Sequence, residues 1–94
     1  MTFSKEKLLE VARECAREVS YVTRGGESNS DLVADAMKRS GYPYEDLGSA
    51  AGSIFSGKEW VFTGGMVAST RPSSHGEWIK VWRYEGGSDA DEFD

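Results

Sequence analysis

Upstream of Trp60 the apolar residues recur at intervals of three and four. Downstream they alternate, and this change of period falls inside a chain of 94 residues. The helical repeat is clearest in "KLLEVARECAREV", where Leu8, Leu9, Val11, Ala12, Cys15, Ala16 and Val19 follow the i, i+3, i+4 rule. Alternation is clearest in "EWIKVWRYE": Ile79, Val81 and Arg83 share one face of a strand, and Trp78, Lys80, Trp82 and Tyr84 share the other. A chain of this length buries only somewhat more than roughly 60% of its unfolded surface. Its helical and alternating halves must therefore share one compact core, which predicts an α+β domain of helices followed by a β-hairpin.

Ser4 is placed to cap a first helix from Lys5 to about Ser20, with Glu6, Glu10, Arg13, Glu14, Arg17 and Glu18 on its solvated face. "YVTRGGES" breaks that helix, and Tyr21 to Thr23 has the composition of a very short strand. Asn29 or Ser30 caps a second helix, "DLVADAMKRS", with Leu32, Val33, Ala36 and Met37 inward and Gly41 as its stop. Pro43 suits the first turn of a third helix, expected from about Tyr44 to Ser56, and Glu45 and Asp46 suit the positive end of its dipole. "WVFTGGMVAST" and "EWIKVWRYE" then form the hairpin, with "RPSSHG" as its turn. The expected core is Leu8, Leu9, Ala12, Val19, Leu32, Val33, Met37, Leu47, Ile54, Phe55 and Ile79. Residues 1–87 form the domain, and the aperiodic acidic residues 88–94 are expected to be a disordered tail.

The net charge of −5 lies entirely at the C-terminal end: residues 85–94 hold five acidic groups, whereas residues 48–84 hold four basic against two acidic. The segment containing the hairpin is thus locally positive, which leaves a phosphate-rich partner open. The single cysteine, Cys15, has no internal disulfide partner and sits among alanines and valines, where a buried structural thiol is expected. "MTFSKEKLLE" has no apolar signal region and no long apolar run occurs, so a cytoplasmic protein without a membrane span is expected. One histidine, His75, at a turn gives no basis for a Ser/His/Asp or multi-histidine metal site, and no phosphate-binding glycine fingerprint occurs. The tail lacks the glycine and closing glutamate of a calcium loop. Neither an enzyme nor a cofactor is expected.

Within "LGSAAGSIFSGKEWVFTGGMVASTRPSSHGEWIKVWR", the pairs Leu47-Gly48 and Thr63-Gly64, with Trp60, Ser69, Arg71-Pro72, His75-Gly76 and Val81-Trp82-Arg83, form a specific pattern. It resembles that of small phage and prophage winged helix-turn-helix DNA-binding proteins, over roughly Lys5 to Arg83. The resemblance implies three helices followed by a hairpin wing, with the third helix in the major groove and the wing on the phosphate backbone. The candidate DNA contacts are Ser49, Ser53 and Lys58 from the third helix and its end, and Thr70, Arg71, Ser73, Ser74, His75, Lys80 and Arg83 from the wing. This chain departs from the pattern in having no basic residue in the third helix and in carrying Glu77 after the His-Gly pair. Double-stranded DNA is the partner this implies, for a small regulator or accessory factor gripping phosphate with Arg71 and His75. Replacing those two residues is expected to leave stability almost unchanged. The other reading is a module that binds or inhibits a host protein, or pairs with its own copy, through the Trp78, Trp82 and Tyr84 face.

Overall fold

The structure is a computed structural model and describes residues 3–71 and 76–86. Helix α1 spans Lys5–Val22, and the Ser4 hydroxyl accepts from the Lys7 amide at 3.0 Å to cap it. The helix runs through Tyr21 and Val22 rather than yielding a strand there. The intrahelical ladder outweighs the β-preference of two residues that are 68% and 84% exposed and have no sheet to join. Thr23 ends it, donating its amide to the Val19 carbonyl and its hydroxyl to the Glu27 carbonyl. A 3₁₀ turn, Arg24–Gly26, then reverses the chain on the positive φ of Gly25 and Gly26 and delivers strand β1, Glu27–Ser28.

Helix α2 spans Ser30–Arg39, capped by Asn29, whose Oδ1 accepts from the Leu32 amide at 3.0 Å. Its buried stripe is Val33, Ala34 and Met37. Leu32, expected inward, is 38% exposed, because the stripe lies one position further along the helix than the leucine. The expected third α-helix is replaced by a 3₁₀ helix, Tyr44–Ser53, broken at Gly48. Gly48 has φ 56 and ψ −132, a conformation close to exclusive to glycine, so the first turn, which buries Tyr44 and Leu47, cannot propagate as one α-helix.

Strands β2, Trp60–Ala68, and β3, Trp78–Tyr84, complete a three-stranded antiparallel sheet of order β1-β3-β2. The fold is α+β, with three helical segments and this sheet. Glu27 and Ser28 pair with Arg83 and Trp82, while Trp60, Phe62 and Met66 pair with Tyr84, Trp82 and Lys80. Between Phe62 and Met66 the register shifts, so Thr63, Gly64 and Gly65 oppose Val81 alone. The Thr63 hydroxyl holds this bulge, donating to the Val81 carbonyl and accepting from the Gly65 amide, both at 3.0 Å.

The core joins Leu8, Ala12 and Ala16 of α1 to Val33 and Met37 of α2, to Leu47 and Ile54, and to Trp60. Burying each larger side chain of this set contributes about 1.5–3 kcal/mol. Ile79 does not join it. The sheet turns its other face to the helices, so Trp82 and Tyr84 pack on the cluster, with Phe55 stacked on Trp82 and edge-on to Trp60. Of the aromatic residues that alternation places on one face of β3, Trp82 and Tyr84 are therefore half-buried against the core, and Trp78, 66% exposed, is left outside it. No described helix is long and apolar enough to cross a membrane.

Candidate nucleic-acid interface

Of β2 only Trp60 is buried; its remaining residues stand clear of the helical layer. The hairpin is thus a blade with a fixed root. At the root, Asp31 occupies the first turn of α2, where a carboxylate is favoured by the helix dipole. It accepts from the Ser69 hydroxyl at 2.7 Å, the Thr70 amide at 2.6 Å, the Thr70 hydroxyl at 3.2 Å and Arg71 Nε at 2.6 Å. Burial pushes the Asp31 carboxyl up in pKa. The bonds from Arg71, Ser69 and Thr70 outweigh that and bring it from 3.8 down to about 2. The Arg71 guanidinium also lies over the Tyr44 ring, 4.9 Å from its centroid. The Ser69 amide donates to the Glu77 carbonyl at 2.7 Å and closes the base of the turn.

Thr70 and Arg71, two of the candidate contacts, therefore help lock the blade to α2. The expectation that Arg71 is dispensable for stability is corrected by this geometry, since its side chain is 24% exposed and paired with a carboxylate 14% exposed. Asp31 itself was not legible as a site. An acidic residue beside a helix cap reads as a dipole complement, and its partners lie 38 to 40 residues away.

Lys80 projects from the face of the blade that carries Phe62 and Trp82, with Nζ 5.3 Å and 5.9 Å from their ring centroids. A groove of about 490 Å³ opens beside it, lined by Ser30, Ser56, Glu77, Trp78, Lys80 and Trp82 among others. Lys58 is exposed in the turn that leads into β2, and Ser49 is exposed just beyond the Gly48 break. Ser53 is half-buried, and its carbonyl accepts from Arg13 Nη2 at 3.1 Å and from the Ser56 hydroxyl at 2.9 Å. Arg83 lies on the opposite face of β3 from Lys80 and is bound to Glu85, with Nη2 2.6 Å from the carboxylate. The structure thus gathers Ser30, Lys80 and Ser56 around one groove and separates Arg83 from them. Ser73, Ser74 and His75, and the tail at 88–94, lie outside the described residues. Among the described residues no cluster of His, Cys, Asp and Glu is placed to hold a metal ion. No family model, curated protein or solved structure matches the chain.

Proposed function

We propose that the chain is a winged-helix domain of the phage or prophage type that binds double-stranded DNA, with the hairpin as its wing. The order helix, strand, helix, helix, hairpin, with the first short strand paired to the last, supports the fold reading. The observation that carries the functional reading is a blade whose β2 strand stands clear of the core beyond Trp60 and whose root is held by four hydrogen bonds to Asp31. Rigid anchoring fixes the direction in which Lys80 is presented, which lowers the ordering cost of gripping a phosphate backbone. The 3₁₀ helix offers serine and alanine rather than cations, so recognition rests on phosphate contacts and discriminates bases weakly.

The test is a mobility-shift titration on random-sequence duplex DNA at low and moderate salt. Lys58→Ala combined with Lys80→Ala should weaken binding to all sequences alike and flatten the log–log salt slope by roughly 2, because each phosphate contact contributes about 0.9. Both lysines are exposed and lie outside the buried cluster, so their replacement should leave the fold intact, which circular dichroism checks. Absence of wild-type binding at low salt overturns the reading. A specific observation favours a protein partner in that event: Phe62, Met66 and Trp78, between 41% and 66% exposed, lie on one face of the blade around Lys80.

A further inference from the structure

The outer edge of the sheet is β2. Among the described residues it pairs with β3 on one side only, and the nine residues Trp60–Ala68, "WVFTGGMVA", contain no charged side chain and no proline. Soluble proteins blunt such edges with lysines, prolines or inward charges, because an open row of amides and carbonyls templates another strand. Here the one blunting device is the bulge at Thr63–Gly65. Both faces of the edge are apolar and open as well. Phe62 and Met66 are 41% and 46% exposed on one face, and Val61 and Val67 are 37% and 40% exposed on the other.

We infer that two copies of this chain pair edge to edge along β2, antiparallel and about a two-fold axis at Gly64. One register makes both faces self-complementary. With Gly64 on the axis, Phe62 falls opposite the second copy's Met66, and Val61 opposite the second copy's Val67. The bulges then meet at the axis, where Gly64 and Gly65 carry no side chains to collide. The pairing within each sheet extends the match. On one face Lys80, Met66, the second copy's Phe62 and the second copy's Trp82 fall in one row, and on the other Ile79, Val67, the second copy's Val61 and the second copy's Arg83 do so. An apolar strip on each face thus runs across four strands and meets a cation, Lys80 or Arg83, at one end, with backbone hydrogen bonds supplying affinity and alternating side chains supplying register.

Charge selects a second copy over another strand. A chain of net charge −5 repels itself over surfaces such as the outer face of α1, with Glu6, Glu10, Glu14 and Glu18. The uncharged β2 edge lets copies meet without opposing like charges, and it offers nothing to attract a charged foreign strand. The interface is small, so association belongs in the micromolar range typical of weak, reversible contacts. This inference stands apart from DNA binding, and its test contains no DNA.

Sedimentation equilibrium of the full chain across the micromolar range should give a reversible monomer–dimer equilibrium. Val61→Lys and Val67→Lys, each placing a charge on the edge outside the core, should raise the dimer dissociation constant at least about tenfold while circular dichroism stays native. Register is read by cross-linking. Phe62→Cys mixed with Met66→Cys should form a disulfide-linked pair on mild oxidation. Either variant alone should form far less, since its two thiols then lie four residues apart along the paired strands, roughly 13 Å. Cys15, 5% exposed, stays out of the reaction. A single-copy mass at every concentration overturns the inference. So does a dimer undiminished in both lysine variants, or Phe62→Cys linking to itself as fast as to Met66→Cys.

Discussion

Replacing Asp31 by asparagine keeps the shape of the side chain and removes its charge. Four donors then face a group that accepts more weakly, and Arg71 is left beside a neutral amide. The carboxyl titrates at about 2 in the folded chain against 3.8 without these partners, a difference of roughly 1.8 pH units. At 1.36 kcal/mol per unit, the charged form contributes about 2–3 kcal/mol to folding at neutral pH. Asp31 is 14% exposed on its side chain, so solvent screening removes little of that. For a domain of this size the loss lowers the melting temperature by about 10–20 °C. The folded pKa is depressed, so this stability is complete above about pH 5 and is lost as the pH falls through 2. Urea unfolding of wild type and Asp31→Asn at pH 7 and at pH 2 measures both effects. The gap should be about 2–3 kcal/mol at pH 7 and should shrink to well under 1 kcal/mol at pH 2. Equal stabilities at pH 7, or a gap that persists unchanged at pH 2, would show that the root of the blade is not held by the Asp31 charge.

Gly48→Ala, at φ 56 and ψ −132, should destabilise the domain by about 1–3 kcal/mol, read as a shift in the urea midpoint, because an alanine there is strained even though only Lys5 Nζ lies within 4 Å of the added methyl. Cys15 is buried, and burial followed by Glu18 and Glu14 raises its thiol pKa. It should react slowly with a disulfide reagent at pH 8 in the native state and at the rate of a free thiol in denaturant. Deleting residues 88–94 removes four of the sixteen acidic groups, so it should leave the melting temperature unchanged and tighten DNA binding at low salt more than at high salt.

Local signals were the legible ones. Ser4 and Asn29 cap the helices they were expected to cap, because a capping oxygen needs only the amides of the next turn. The change of period at Trp60 likewise marks the start of β2. Alternation divides a strand into two faces without saying which one meets the helices, and for that reason Ile79 is expected in a core that it does not join. Gly48 sits in a run of small residues compatible with a helix, and nothing in that run marks its positive-φ conformation beside the buried Leu47. The role of Arg71 could not be read locally either. Its chemistry suits phosphate as well as carboxylate, and the choice made within the fold depends on Asp31, which packing alone brings beside it.

Strand β1 is two residues long, and its partners on β3 come more than fifty residues later in the chain. A growing polypeptide therefore releases both α-helices before it contains the strand that closes the sheet, and Trp82 and Tyr84, which cover the core, arrive last. Until then Leu8, Val33 and Met37 have helices to sit on but no lid, and a helix as short as the ten-residue α2 is marginal alone. Folding should accordingly finish in a single late step that zips β3 between its two neighbours, at the slower rate set by distant contacts. During synthesis, the uncharged run from Trp60 to Ala68 is the segment most in need of protection by a chaperone.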